Sequence, residues 1–299
     1  SLLRRIQACY LRDELFRIVE KDCNMLDLVD VALLPFSLTF MQKAFLMSVL
    51  IAIPMSLLSC YLVLKGWSLM GDAISHAVLP GIVLAYIFEV ALAIGAFLAG
   101  ISCALISGFV KANSKIKQDS ILGIVFSGMF ALGLILYLKI QTDIHLDHIL
   151  FGNILGLTWQ DILNSLFLGS FCTIFILIKR LDLLANIFDP QHAKAIGINV
   201  SRLNYLFLAL LSLAIVASIK SGGIILGIAM LIMPGAISFL LSKDFIKMLT
   251  LSVLIAVFSS ILGVYLSFFI DSAPAPTIVI IMTLIFIYCF FSNLKKGLV

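Results

Sequence analysis

The sequence predicts an all-α protein that crosses a membrane several times. Of its 299 residues, 62% are hydrophobic and only 12% are charged, and the mean hydropathy is +1.18. Apolar stretches of about 20 residues, the length that a helix needs to cross the hydrocarbon core, recur along the whole chain. The net charge of +4 comes from short basic loops and not from a patch suited to nucleic acid, so a nucleic-acid partner is not expected.

The chain is predicted to begin with a polar extension, residues 1–34, followed by a transmembrane domain, residues 35–299. Of the 20 Lys and Arg and the 16 Asp and Glu side chains, 11 lie in residues 1–30, nearly balanced in sign. The irregular apolar pattern of this extension favours a partly helical segment on a membrane surface. No secretory signal is expected, because the first apolar run begins late and continues into a full span.

Eight or nine transmembrane helices are predicted, depending on whether the short second and third spans are both complete. The spans are each close to the ~17–25 residues that cross a membrane: 44–64, 74–90, 92–110, 121–139, 161–178, 204–219, 222–241, 247–270 and 276–293. Pro54, Pro80 and Pro234 fall within these runs and are expected to kink or break a helix. The six cysteines show no C-x-x-C spacing and are expected to be small buried apolar residues: Cys9, Cys23, Cys60, Cys103, Cys172 and Cys289.

Basic residues in short loops predict the orientation, because such loops face the cytoplasm. Positive charge is concentrated in alternate loops and at the C-terminal end: Lys111, Lys115 and Lys117; Lys179, Arg180, Lys194 and Arg202; Lys243 and Lys247; Lys295 and Lys296. We therefore place these loops and the C-terminus in the cytoplasm, together with Lys65. The charged N-terminal extension conflicts with this rule, and its side of the membrane stays open.

The stretch "KGWSLMGDAISHAVLPG" places an aspartate and a histidine at the entrance to a span. Asp72 and His76 are four residues apart, so on a helix their side chains share one face. Ionisable groups at membrane depth are costly and usually line a pathway or a site. A carboxylate oxygen and an imidazole nitrogen suit manganese, iron(II) or zinc better than copper(I). A hydrogen bond within the helix that neutralises two buried polar groups is an equally good interpretation.

Two further groups of residues invite a metal interpretation. The predicted outer segment "TDIHLDHILFGN" contains Asp143, His145, Asp147 and His148, but exposed loops often carry such residues for solubility or partner docking. Met230 and Met233, just before Pro234, are expected to pack a helix interface rather than to bind an ion.

The longest basic loop, "IKRLDLLANIFDPQHAKAIGINVSRLN", indicates a short helix lying across the inner face. Pro190 fits the first helical position, and Ala193 and Gly197 are four residues apart, before a turn-like "INVS". Small residues permit close approach, so this helix suits a groove of another protein. On its residues alone, an ordinary surface helix is the favoured interpretation.

Six sequence blocks, in order, resemble the membrane permease of bacterial ATP-binding-cassette importers for manganese, iron and zinc. They are "LKGWSLMGDAISHAVLPGIVLAY", "DSILGIVFSGMFALGL", "ILFGNILG", "FDPQHAKAIGINV", "GGIILGIAMLIMPGA" and "DSAPAPTIVII". The resemblance extends over residues 35–295, and the first block is most similar to the manganese/iron branch. It implies a type II importer-like permease, multi-pass in the bacterial plasma (inner) membrane and surrounded by its lipid.

The resemblance also implies functional residues and partners. Asp72 and His76 match the family motif G-D-A-x-x-H-A, associated with metal coordination in the translocation channel. The block from Phe188 to Val200 matches the coupling helix, so Phe188, Asp189, Ala193 and Gly197 are expected to engage an ATPase. Many relatives read D-x-P-S-G-A-T where this chain has "DSAPAPT", so an outer-gate role of Asp271 is less well supported.

The implied partners are a cytoplasmic ATP-binding-cassette ATPase, a periplasmic or surface metal-binding protein and a second permease, identical or paralogous. No permanently bound cofactor is expected, and the divalent metal, manganese or iron with zinc as the alternative, is the transported substrate. The chain is not expected to be an enzyme, and the phosphate-loop pattern G-x-x-x-x-G-K-[ST] is absent from it.

Two other classes remain as competing hypotheses. An ion-coupled secondary carrier would need acidic residues within the membrane, and few lie away from the ends of the predicted spans. A membrane metallohydrolase would need a general base beside its metal, and no H-E-x-x-H motif occurs.

Overall fold

The computed structural model describes residues 32–67, 69–139 and 156–295, and within these ranges the chain is helical and contains no strand. The principal helices are α1 (Thr39–Lys65), α2 (Leu69–Ala77), α3 (Leu79–Ile87), α4 (Leu92–Asn113), α5 (Gln118–Lys139), α6 (Trp159–Ile178), α7 (Arg180–Phe188), α8 (Pro190–Ala195), α9 (Val200–Leu241), α10 (Phe245–Ile270) and α11 (Pro274–Lys295). The all-α fold class is confirmed.

The chain divides into two compact units, residues 1–42 and residues 43–299. In the described part of the first unit, residues 32–37 are helical. There the Ser37 hydroxyl donates to the Leu34 carbonyl at 2.8 Å, and the Gln42 side-chain amide donates to the Phe36 carbonyl at 2.8 Å. The predicted boundary between residues 34 and 35 stays a prediction.

Nine segments of the described residues are long and apolar enough to cross a membrane, in agreement with the predicted eight or nine. Helix α9 supplies two of them, Val200–Ile219 and Gly222–Leu241, because its backbone leaves helical geometry at Gly223 (φ 70°, ψ −174°). Glycine accepts this positive φ at little steric cost. The orientation in the membrane stays a prediction.

The second span, Leu69–Ile87, consists of two short helices that meet at Val78. Pro80 lies in the first turn of α3, where its missing N–H would have no helical partner in any case. Pro80 therefore marks a helix break, as expected. Pro54 and Pro234 instead lie inside the helices α1 and α9.

Ser59 of α1 compensates for the backbone disruption at Pro234. Its hydroxyl donates to the carbonyl of Ile232 at 3.1 Å and accepts from the Gly235 N–H at 2.9 Å. A proline removes one helical hydrogen bond, and a neighbouring serine can satisfy the backbone groups around it. The same bonds join α1 to the second half of α9.

The core lies around α1, the α2–α3 pair and α9, whereas α5 and α11 are largely exposed. The backbones of α3 and α4 are in direct contact at Gly81 and Gly95, where a Cβ on either glycine would overlap the carbonyl oxygen of the other. Met230 is fully buried, and the sulfur of Met233 accepts a weak hydrogen bond from Thr283, so both methionines pack at helix interfaces as predicted.

The prediction that the cysteines are buried is confirmed for the four cysteines that the structure describes. Cys60, Cys103, Cys172 and Cys289 are buried and not in disulfides. Cys9 and Cys23 lie outside the described residues.

Candidate metal site and coupling segment

Helix α2 has only three residues that are not buried, and they form one stripe. Leu69, Asp72 and His76 follow helical spacing, and the other six residues of α2 are buried. The Ser75 hydroxyl on a buried face donates to the Gly71 carbonyl of its own helix at 2.7 Å. The two ionisable side chains of α2 therefore share the one face that the fold leaves accessible.

Asp72 and His76 are in contact along this stripe. The His76 Nε2 atom lies 3.3 Å from the Asp72 Oδ1 atom, and the two side chains are 29% and 33% exposed, respectively. The contact confirms the shared face that the spacing of four predicts.

Two aromatic side chains of α5 lie beside the imidazole of His76. The centroid of the His76 ring lies 5.4 Å from the centroid of the Phe130 ring, in an edge-to-face arrangement. It lies 6.0 Å from the centroid of the Phe126 ring. Such contacts limit the orientations of the ring. The sequence analysis did not identify these two phenylalanines, although their spacing of four, which puts them on one face of α5, was visible.

The distance of 3.3 Å between the His76 Nε2 and Asp72 Oδ1 atoms fits two arrangements, a shared metal ion and a direct contact. Two ligands about 2.2 Å from one ion and at right angles to each other lie about 3.1 Å apart, close to the separation observed here. A long hydrogen bond between the imidazole and the carboxylate would also fit this distance. Within the described residues, no group of three or more His, Cys, Asp or Glu side chains comes together to hold a metal. The pair thus offers two ligands, and the remaining ones have to come from water, backbone oxygens or another chain.

The other predicted metal candidates, Asp143, His145, Asp147 and His148, lie outside the described residues. Asp271 is described and caps the end of α10 in a left-handed conformation (φ 53°, ψ 44°). Aspartate tolerates this conformation better than most residues do.

The coupling segment, which we define as α7 and α8 with the turn to residue 197, is shaped by its own sequence. The Asp189 carboxylate accepts hydrogen bonds from the N–H groups of Gln191 and His192 at 2.9 and 3.0 Å, which caps the start of α8. At its end, Gly197 has φ +88°, the Gly197 N–H donates to the Lys194 carbonyl, and the Ile198 N–H donates to the Ala193 carbonyl. This pair of bonds is a Schellman motif, which favours glycine at the left-handed position.

The four predicted coupling residues have different environments. Phe188 is 71% exposed, whereas Ala193 is fully buried. A Cβ at Gly197 would meet no atom within 4 Å. Ala193 is therefore small because it packs against this protein, and the positive φ of Gly197 favours glycine whether or not a partner is close. The burial of Ala193 corrects the expectation that its small size permits close approach by a partner; the same expectation for Gly197 and the coupling role of the segment stay predictions.

A polar junction, which the sequence analysis did not identify, connects the coupling segment to α1 and α9. The Asn204 Oδ1 atom accepts hydrogen bonds from the Lys65 ammonium group at 2.7 Å and from the Asn186 amide at 2.8 Å. The Lys65 nitrogen also lies 3.7 Å from the centroid of the Trp67 ring. We call Lys65, Asn186 and Asn204 the amide junction.

Among the described residues, nine apolar helical spans, with an ionisable pair on one accessible stripe, are the features of a multi-pass membrane protein of the transport class. The ABC 3 transport family matches residues 37–293, and the chain belongs to this family. It is therefore a multi-pass protein of the bacterial plasma membrane.

Two relatives and a solved structure agree with this assignment. The chain is 50% identical over 259 residues, 87% of each chain, to the chelated iron transport system membrane protein YfeD of Yersinia pestis. It is 47% identical over 264 residues to the manganese transport system membrane protein MntB of Synechocystis sp., covering 88% of this chain and 86% of that one. Among solved structures, PsaBC from Streptococcus pneumoniae in complex with Fab has a TM-score of 0.77 and 37% identity, covering 85% and 91% of the two chains.

Proposed function

We infer that this chain is the permease subunit of an ATP-binding-cassette importer that carries manganese or iron(II) into the cytoplasm. The inference is supported by relatives at 47–50% identity that are named for manganese and chelated iron transport. The site-level observation that carries it is the contact between Asp72 and His76 on the accessible stripe of α2.

The exposure of this stripe favours a transport path. Asp72 and His76 are 33% and 29% exposed, and both lie in the candidate span Leu69–Ile87. An ionisable side chain facing hydrocarbon is costly, so it is found facing a water-filled path or another protein chain. In this position the carboxylate and imidazole would replace part of the hydration shell of a passing ion. Such an ion is the substrate, and no permanently bound cofactor is part of the proposal.

The coupling segment provides a surface for the cytoplasmic ATPase. Leu181, Phe188 and Ile196 are 67%, 71% and 57% exposed. None of the three lies in a candidate span. Exposed apolar side chains outside the membrane are typical of a protein interface. The ATPase would supply the energy, and the permease itself would catalyse no reaction.

Two further partners complete the proposed transporter. A periplasmic or surface metal-binding protein would deliver the ion to the outer side. A second permease, identical or paralogous, would line the path opposite α2 and would supply further ligands, since the described residues of one chain bring only two together.

The proposal is tested by measuring uptake of radioactive manganese in cells that express the complete transporter and lack other uptake routes. Asp72→Ala and His76→Ala should each reduce uptake by at least about tenfold, because even groups that only orient a metal ligand change affinity by about 10- to 100-fold. Ser75→Ala is the matched control. Ser75 lies on the same helix, but its hydroxyl bonds to its own backbone, so this variant should transport normally.

The outcomes separate the parts of the proposal. Normal uptake by both variants would remove Asp72 and His76 from the path while leaving the transporter assignment in place. Zinc accumulation without manganese or iron uptake by the unaltered protein would show a zinc importer instead. Uptake that persists without any ATPase would favour an ion-coupled carrier.

A further inference from the structure

We propose that Asn204 is a positioning residue that links movement of the coupling segment to the metal-binding helix α2 through Lys65. The inference rests on the proposed function and adds to it a physical connection between the ATPase contact and the metal ligands. Its basis is the amide junction, where one side-chain oxygen joins α1, α7 and α9.

The side-chain carbonyl oxygen of Asn204 uses both of its acceptor positions. An amide oxygen has two lone pairs, and here one accepts from Lys65 and the other from Asn186. Asn186 is 4% exposed and belongs to α7, the first helix of the coupling segment. A shift of α7 therefore changes the position or the rotamer of Asn204 and alters the acceptor available to Lys65.

Lys65 is connected to α2 by the short stretch of chain between the end of α1 and Leu69. Lys65 is the last residue of α1, which ends in a Schellman motif around Gly66 (φ +68°). The Lys65 ammonium lies on the face of the Trp67 ring, and the Trp67 carbonyl accepts from the Met70 N–H at 2.9 Å. Met70 is in the first turn of α2, two residues before Asp72.

The charge of Lys65 makes this connection sensitive to its partners. Within the described residues, Lys65 has no carboxylate partner; the Asn204 oxygen and the Trp67 ring are its closest stabilising groups. A partly buried ammonium that loses a hydrogen-bond acceptor is left unsatisfied and moves towards water. Loss of the Asn204 acceptor would therefore displace Lys65 together with Trp67.

The junction also has space for such a movement. A cavity of about 220 Å³ lies beside it, lined by Trp67, Met70, Lys111, Asn204 and Tyr205, among others. Elsewhere α2 is tightly packed, and a Cβ at Gly71 would lie 3.0 Å from a methyl group of Leu231. Close-packed side chains resist displacement, whereas those beside a cavity can change position.

The test compares Asn204→Leu with Asn204→Asp in the complete transporter, reconstituted in proteoliposomes with its ATPase and binding protein. Manganese uptake and ATP hydrolysis are measured in the same vesicles. Asn204→Leu should lower the manganese transported per ATP hydrolysed by about tenfold, within the ~5- to 150-fold effects typical of coupling between sites. Asn204→Asp should retain the ratio, because a carboxylate oxygen can accept both hydrogen bonds.

A double-variant comparison tests whether Lys65 and Asn186 act through the same oxygen. Lys65→Met and Asn186→Leu should each lower the ratio, and the double variant should be no worse than the poorer single variant. If Lys65 and Asn186 acted independently, their losses in manganese transported per ATP hydrolysed would instead add. Additive losses would overturn the proposed link through Asn204.

Asn293→Leu is the matched control for lost stability. The Asn293 amide donates to the Leu240 carbonyl at 2.7 Å, so this variant also loses a largely buried amide hydrogen bond to α9, away from the junction. It should lower thermal stability in detergent and leave the transport ratio unchanged. A wild-type ratio in Asn204→Leu, or an equal loss in Asn293→Leu, would overturn the link. An unaltered transporter that hydrolyses ATP and accumulates neither manganese nor iron would instead overturn the proposed function.

Discussion

Helix α2 and helix α8 hold their functional residues in place by opposite means. Six of the nine residues of α2 are buried, and its position is set by contacts with α4, α5 and α9. Only one of the six residues of α8 is buried, and the helix is delimited by the Asp189 cap and the Gly197 turn. The metal-site geometry is therefore a property of the packed bundle, whereas the coupling segment depends mainly on local sequence.

This difference determines where each region is vulnerable. A change in a neighbouring helix should disturb the Asp72–His76 pair even when α2 itself is unaltered. The coupling segment should respond to changes at its own caps, with little effect on the metal site. Three substitutions, each with a matched control, test this contrast.

The largest effect is expected for Gly133→Ala in α5. A Cβ at Gly133 would lie 2.7 Å from the Pro80 nitrogen, and a backbone neighbour cannot turn aside. Helix α5, which carries Phe126 and Phe130, would therefore move away from the α2–α3 break, at a cost of about 1–3 kcal/mol. Manganese uptake should fall by about tenfold, the factor that roughly 1.4 kcal/mol of lost binding produces.

Gly128→Ala is the control for this prediction. Gly128 is on the same helix, but a Cβ there would meet no atom within 4 Å. Alanine should be neutral or slightly stabilising at that position, with normal uptake. Equal effects of the two substitutions, measured by uptake and by thermal unfolding, would contradict a metal site positioned by packing.

An intermediate effect is expected for Gly197→Ala. The new Cβ would have free space, but alanine at φ +88° should cost about 1–2 kcal/mol, the penalty for left-handed backbone. The turn would rearrange, so less ATPase should copurify with the permease, whereas manganese binding to the permease should not change. Gly108→Ala, equally free of neighbours, has no positive φ and serves as control. If both variants retain the ATPase equally, this backbone conformation does not matter for coupling.

The smallest effect is expected for Asp189→Ala, which removes the cap of α8. Loss of a side-chain cap costs about 0.5–2 kcal/mol. Because the helix has few buried contacts, this should appear as faster hydrogen exchange of the amides of residues 191–195. Asp189→Asn retains an acceptor and should keep the slow exchange. Faster exchange throughout α9 as well would mean that the segment is not locally stabilised.

The transmembrane architecture could be predicted because each span is an apolar run bounded by charged, glycine or proline residues. The prediction of the second span was less accurate. It placed the start of the span at residue 74, whereas α2 begins at Leu69. Asp72 lowers the hydropathy of the first turns, although α2 is mostly buried. A polar residue that serves a site therefore obscured the start of the helix that carries it.

The candidate site could be predicted only where its residues are close in sequence. The contact between Asp72 and His76 follows from their spacing of four. The phenylalanines beside His76 are about 50 positions away, and Lys65 is 139 positions from Asn204. Such contacts depend on how distant helices cross, and no periodicity in a single sequence determines that. The burial of Ala193 was hidden for the same reason, since a small residue suits a core as well as an interface.

The backbone contact between Gly81 and Gly95 has a mechanical consequence for the transport cycle. Neither α3 nor α4 can rotate or slide far at this crossing, because a neighbouring residue with a Cβ would then meet a backbone carbonyl of the other helix. We therefore expect the two helices to move as one rigid body when the path opens and closes. The bending has to occur at the ends of this unit: at Val78, where α2 meets α3, and at residues 114–117, between α4 and α5.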